Sequence, residues 1–246
     1  MFAYTNFITA QNLHQNKDLK VAFLKLASEY SPDIFDKTVA NAYFYDMMYL
    51  FGDERNSFEE DYLATLGKDE EKFKTLMAMS MNDPSYKAKA KVYYKDQAKF
   101  SVLWLSEFNK KFKAAPLFSL PLLDGVQYTL GNDKNQWTLV DFWGTWCAPC
   151  REEHPALQKL YQRTKNGQLP NLNIITIASR DREPDVKAYM QEFKYSFPVV
   201  MSDHQIEKAY HVSSWPSKFL ISPQGKFVII PFNVNWEKYI EEYINE

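Results

Sequence analysis

Up to about residue 113 the apolar positions follow helical spacing. "KDLKVAFLKLASEY" places Leu19, Phe23 and Leu26 on one stripe, three and four residues apart rather than alternating. Ser31-Pro32 reads as an N-cap followed by proline at the first helical position. The helix through "DIFDKTVANAYFYDMMYLF" stops at Gly52, Ser57 with Glu60 fits a capping box, and Gly67 closes that short helix. A segment around "DEEKFKTLMAMSM" leads to Asn82-Asp83-Pro84. One long helix is then predicted from about Pro84 to Lys113, with Phe100, Trp104, Phe108 and Phe112 on its apolar face.

The pattern changes at "KAAPLFSLPLLDG". Asp124-Gly125, between "FSLPLL" and "VQYTL", predicts a tight β-hairpin. "WTLVDFW" is a β-branched and aromatic run suited to a buried strand, and helix follows from about Cys147 to Lys165. "NLNIITIAS" predicts a second buried strand, "EPDVKAYMQEFK" a helix, "FPVVMS" a strand and "HQIEKAYH" a short helix. "SKFLIS" and "KFVII" pair across Pro223-Gln224-Gly225, and "NWEKYIEEYI" is a closing helix. Strands alternating with helices and ending in a hairpin predict an α/β sandwich. The expected organisation is an all-helical domain over 1–113 and an α/β domain over 114–246.

Composition narrows the function classes. The 246 residues suffice for two modest domains, and 46% hydrophobic with 24% charged residues is ordinary for a chain with a sizeable core. Seven glycines against 16 Tyr, 18 Phe and 6 Trp argue for packed, aromatic-rich cores and against disorder. A formal net charge of -2 offers no overall pull toward nucleic acid or anionic lipid. Lys87, Lys91, Lys95 and Lys99 share a stripe of the predicted long helix with Tyr93 and Tyr94 interleaved. Balanced acids elsewhere make that stripe a solvated face rather than a nucleic-acid footprint. The "MMYLF" and "LMAMSM" stripes are read as core. The opening "MFAYTNFITAQNLHQN" lacks the basic and apolar regions of a secretory signal, and no apolar run is long enough to span a bilayer.

Chemistry concentrates in "DFWGTWCAPCREEHP", which holds both cysteines, Cys147 and Cys150. A structural zinc site wants four ligands, and these thiols with His154 supply three. Covalent haem attachment needs histidine directly after the second cysteine, where Arg151 stands. A structural disulfide across two residues constrains little chain. Reversible dithiol-disulfide chemistry fits best, because the pair sits where a predicted strand gives way to a helix N-terminus. Unpaired N–H groups and the positive end of the dipole stabilise a thiolate there. Cys147, nearer the mouth of the turn, is the expected nucleophile, and Cys150, one turn inward, the resolving thiol. Pro149 fixes the backbone between them. His154 is expected to be a partly exposed helix residue, and His204 and His211 surface or capping residues.

"LVDFWGTWCAPCREEHPAL" together with "SSWPSKFLISPQGKFV" resembles the TlpA/ResA-like thiol-disulfide oxidoreductases of the thioredoxin superfamily, over roughly residues 114–246. "PLFSLPLLDGVQYTL" is similar to the hairpin those proteins add before the thioredoxin core. The resemblance implies a thioredoxin-like α/β/α sandwich, Cys147 as an exposed nucleophile and Cys150 as the buried resolving thiol. It assigns Asp141 as a buried proton-relay carboxylate, Glu153 as an acidic residue beside the site, and Pro216 as a proline preceded by a cis bond that faces the thiols. Trp146 is expected to contact partners and Trp143 to pack in the core. Trp215 stands where the family usually has a smaller residue, next to backbone that pairs with a substrate segment. That departure leaves two readings open, a narrower substrate range or an aromatic platform.

The implied function is reduction of disulfides in client proteins, with a separate dithiol protein as electron donor and no bound organic cofactor. Ala148-Pro149 between the thiols resembles the reducing members of the superfamily. Thiol peroxidase chemistry ranks lower, since Thr145 stands two residues before Cys147 rather than three. A third reading makes the thioredoxin-like domain a docking module for the helical one. Family resemblance places the protein outside the bacterial cytoplasm, often with an amino-terminal tether, and cysteines confined to one pair agree.

Overall fold

The computed structural model describes residues 68–131, 135–232 and 234–245. The features read at Leu19, Phe23, Leu26, Ser31-Pro32, Gly52, Ser57, Glu60 and Gly67, and the "MMYLF" stripe, lie outside the described residues. Two compact units divide between Trp104 and Leu105.

In the first unit, α1 (Asp69–Ser80) opens with Asp69, Glu70 and Glu71, acids that favour the positive end of the helix dipole. Its "LMAMSM" stretch is core as expected, with Leu76, Met77, Ala78, Met79 and Met81 buried. The Ser80 hydroxyl donates to Met77 O (2.7 Å) and accepts the Trp104 indole N–H (2.8 Å), so two buried polar groups satisfy each other. The predicted long helix is in fact broken. It runs as α2 (Tyr86–Val92), then a 3₁₀ turn at Gln97–Lys99, then α3 (Phe100–Lys111). Around the break, the Tyr94 ring stacks on Phe73 (5.1 Å) and meets Phe100 (6.0 Å), and Asp96 is non-helical at φ -109, ψ 77. Tertiary ring packing has overridden helical continuity. The lysine stripe is lost with it: Lys87 is buried with its ammonium 4.5 Å from the Trp104 ring, and Lys99 pairs with Asp96.

The second unit is an α/β sandwich. Its strands are β1 (Ser119–Pro121), β2 (Gln127–Thr129), β3 (Trp137–Trp143), β4 (Leu172–Ala178), β5 (Val199–Met201), β6 (Ser217–Ile221) and β7 (Phe227–Ile230). Its helices are α4 (Ala148–Lys165), α5 (Glu183–Glu192), α6 (Gln205–Ala209) and α7 (Trp236–Ile244). The main sheet runs β5-β4-β3-β6-β7, with β5, β4 and β3 parallel and β6 and β7 antiparallel additions. This is the thioredoxin-like arrangement, with an added β1-β2 hairpin.

Both hairpins turn through three residues rather than two. Leu122 N–H donates to Val126 O, Ser222 N–H to Lys226 O, and each loop ends on a glycine of positive φ, Gly125 at 88° and Gly225 at 76°. The central strand β3 is buried along its whole length. Val140 and Phe142 join a cluster with Ile177, Phe219, Ile206 and Tyr210 on one face. On the other face Trp143 meets His154 of α4 and Tyr189 of α5, and Trp137 meets Tyr243 of α7. Among the described residues no helix is long and apolar enough to cross a membrane.

The division of units falls inside α3, ahead of the composition change at Ala114, because Phe108 belongs to the second core. It is fully buried and meets Trp137 (5.2 Å) and Tyr243 (5.7 Å) edge-on. Phe108→Ala is expected to cost about 3 kcal/mol, the low end for a buried Phe truncation. That equals roughly a hundredfold loss of hydrogen-exchange protection in the slowest amides of β3. Unchanged protection there would disprove the assignment of Phe108 to this core.

Candidate functional site

The site is built where β3 ends. Trp143 closes the strand, fully buried, its indole N–H donating to Thr176 Oγ1 (3.0 Å). At Gly144 a Cβ would lie 2.4 Å from Trp146 Nε1 and 3.0 Å from Ser179 O, so no side chain fits. That space lets the Trp146 indole fold back and donate to Ser179 O (3.0 Å) while staying half exposed. Asp181, from the loop after β4, grips the same turn by accepting Thr145 N–H at Oδ2 (2.6 Å) and the Thr145 hydroxyl at Oδ1 (3.0 Å).

The turn delivers Cys147 to the N-cap of α4, with extended backbone at φ -89, ψ 104. Its sulfur accepts the Cys150 N–H at 3.3 Å, the role an Asp or Ser oxygen ordinarily plays at an N-cap. No acidic residue occupies the first turn of α4, so the positive end of its dipole is left for the sulfur. Pro149 falls within the first two helical positions, where a missing N–H costs nothing, and is exposed. Cys147 and Cys150 are joined as a disulfide with Cα atoms 5.3 Å apart. The exposure expected of Cys147 is not found in this oxidised form. Cys147 is 4% and Cys150 1% exposed, because the N-capping sulfur is turned back onto the first turn of its own helix.

The β6 register brings the second half of the site alongside. Ser217 pairs with Phe142, so Pro216 stands at the end of β3 where the active turn begins. The Trp215–Pro216 bond is cis, and Pro216 is buried. The Trp215 ring meets the Trp146 ring edge-on at 5.5 Å and carries the Arg180 guanidinium at 4.5 Å. The two indoles thus connect the cysteine turn to the proline loop.

Asp141 and Lys218 face each other directly across β3 and β6. Lys218, 5% exposed, lies between two carboxylates, 3.2 Å from Asp141 Oδ1 and in hydrogen-bond contact with Glu153 Oε2, with the Trp236 ring 5.1 Å away. The Asp141 contact is an ion pair without hydrogen-bond geometry. Burial pushes Asp141 up from 3.8 to about 6, Lys218 pulls against that rise, and Glu153 adds to it. Burial alone would lower Lys218, but the two carboxylates outweigh it and hold it above the usual lysine value. Glu153 follows Cys150 by three residues on α4, so it shares a face of the helix with the resolving thiol.

His154 is not the partly exposed residue expected. It is 1% exposed, its Nδ1 pairs with Tyr189 OH (2.9 Å), and its ring packs edge-on against Trp143, Tyr195 and Phe197. Burial, with Lys218 adding, drops it to about 3, so the imidazole is neutral near pH 7. Asp141, Glu153, Cys147, Cys150, Trp146, Trp215 and Pro216 come together in one region. Lys218, Asp181 and Arg180 were not anticipated. A lysine inside the apolar strand "SKFLIS" was a usable signal for the first, since a buried cation needs partners.

A family model described as the AhpC/TSA family matches residues 112–229. Among solved structures, the thioredoxin domain of a thiol-disulfide oxidoreductase from Bacteroides vulgatus is 27% identical, with a TM-score of 0.49 over 54% of this chain and 96% of that one. Thioredoxin-like protein YneN of Bacillus subtilis is 30% identical over 131 residues, 53% of this chain and 76% of the relative. Thiol-disulfide oxidoreductase ResA of Bacillus subtilis is 33% identical over 132 residues, 53% of this chain and 72% of the relative. With that degree of identity over most of ResA, and a cysteine pair at disulfide distance on a helix N-terminus, the chain belongs to the ResA-like thiol-disulfide oxidoreductases of the thioredoxin superfamily.

Proposed function

We propose that this oxidoreductase works as a reductase of disulfides in client proteins. The Cys147 thiolate attacks one sulfur of the client disulfide, and the first client thiolate leaves. Cys150 gives up its proton and attacks Cys147 in the mixed disulfide, releasing the second client thiolate. Two electrons have then passed to the client, and Cys147–Cys150 is oxidised. A dithiol protein returns it to the reduced state by the same exchange in reverse, so no bound organic cofactor enters the cycle. The observation that carries this reading is the Cys147 sulfur at the α4 N-cap, 3.3 Å from an N–H. A group that accepts a backbone N–H and faces the positive dipole end is stabilised most when it bears full negative charge.

Asp141, with its value pushed to about 6, is suited to take the Cys150 proton near neutrality, and Lys218, itself anchored by Glu153, stabilises the charge that results. The thiol-peroxidase reading has less support, because the Thr145 hydroxyl is committed to Asp181. We place the protein outside the cytoplasm on family resemblance, with cysteine confined to the pair.

In the reduced protein, alkylation of Cys147 should titrate below the ordinary thiol value of about 8.5. Cys150→Ser should trap the client as a stable mixed disulfide on Cys147. An ordinary thiol titration, together with no reduction of a generic protein disulfide, would sink the assignment.

The buried carboxyl gives a separate check through stability. Asp141's folded value lies above its ordinary 3.8, so the folded state holds that proton the more tightly. The associated stability is therefore fully present below about pH 4 and is lost as pH rises through about 6. Asp141→Asn is expected to remove this downward slope in denaturant unfolding measured across that window. Persistence of the slope in the variant would show that another group titrates there.

A further inference from the structure

The loop leaving β4 is attached to the site at each of three consecutive residues, two to the redox turn and one to the proline loop. Ser179 O accepts the Trp146 indole N–H, Asp181 accepts from Thr145, and Arg180 between them lays its guanidinium over Trp215 at 4.5 Å. Arg180 is exposed and has a left-handed backbone at φ 53, a conformation that long side chains rarely adopt unless their surroundings enforce it. Beside it opens a cleft of about 530 Å³ lined by Arg180, His204, Glu207, Lys208, His211 and Val212. Two more of these residues, His204 (φ 62) and His211 (φ 54), are also left-handed.

The charge in this cleft is unbalanced. Among the described residues neither Arg180 nor Lys208 makes an ion pair. Glu207, the acid of the lining, is buried and directed to His204 Nδ1 at 3.6 Å rather than to either cation. Two cations without an ion-pair partner outnumber the one buried acid of the lining, and one of them, a guanidinium lying over an indole, matches a carboxylate. The planar fork donates to both oxygens, and its pre-ordering reduces the entropy lost on binding.

We infer that Arg180 and the adjoining cleft form a subsite for an acidic side chain of the client polypeptide, a few residues from the cysteine that Cys147 attacks. The inference rests on the thiol-disulfide reading and deepens it. A polypeptide is the favoured source of the carboxylate because Arg180, which lines the cleft, also rests on Trp215, the residue before Pro216 at the end of β3. An extended chain held at that loop sends alternate side chains to one face, so one of them can be offered to Arg180. Trp215 then acts as a platform that holds Arg180, not as an obstruction.

The test uses reduced full-length chain and disulfide-linked peptides carrying glutamate or glutamine about two to four residues from the cysteine, the reach of an extended segment. For at least one position, kcat/KM for the glutamate peptide should exceed that for its glutamine twin about three- to five-fold at low salt, as for a good exposed charge pair. The ratio should fall toward one at high salt. It should be near one in Arg180→Gln and below one in Arg180→Glu. Because the ratio is taken within each variant, partial loss of folded protein cancels. Equal rates for both peptides of every pair, or a glutamate preference that survives in Arg180→Glu, would overturn the subsite while leaving the redox chemistry standing. Failure to reduce any peptide would overturn both.

Discussion

A sulfur at a helix N-cap is the constraint around which the rest of the site is organised. Oxygen usually fills that position, and Cys147 fills it with an atom that also has to leave its hydrogen-bonded place and form bonds elsewhere. Everything that fixes the turn serves this placement. β3 is buried on both faces, so it cannot shift register without moving charged and apolar groups to the wrong sides. Gly144 and Asp181 set the path of the turn, and α4 begins with no acid to compete for its dipole.

A second problem is the burial of an ion pair, Asp141 with Lys218. With Lys218 between buried Asp141 and half-buried Glu153, one net negative charge remains if all three ionise. Asp141 relieves it by holding its proton to about pH 6. The neighbouring His154 is kept neutral by its aromatic surroundings and contributes no charge. A carboxyl that changes state near neutrality is suited to the proton-acceptor role proposed for Asp141.

Much of this was legible in the residues because it is local. The β-branched and aromatic "WTLVDFW", the two Gly-terminated hairpins and the cysteine pair at a strand-to-helix junction all carry their reasons within ten residues. What was missed depends on distant partners. Helical periodicity alone extends the helix past Val92, and it takes the Tyr94 ring on Phe73 to break it. The grip of Asp181 on Thr145 spans 36 residues, and nothing near either one announces it. His154 looked solvent-facing beside Pro155, yet Tyr189, Tyr195 and Phe197 from two later segments enclose it. The exposure of Cys147 was misjudged for a different reason: capping turns a side chain back toward its own helix.

Trp146 combines two properties seldom found together, partial exposure and a fixed orientation through its bond to the Ser179 carbonyl. It is also the residue next to the reacting sulfur. Disulfides quench indole emission more strongly than free thiols do, so an indole held rigidly at that position makes the molecule its own optical gauge of oxidation, with no dye attached.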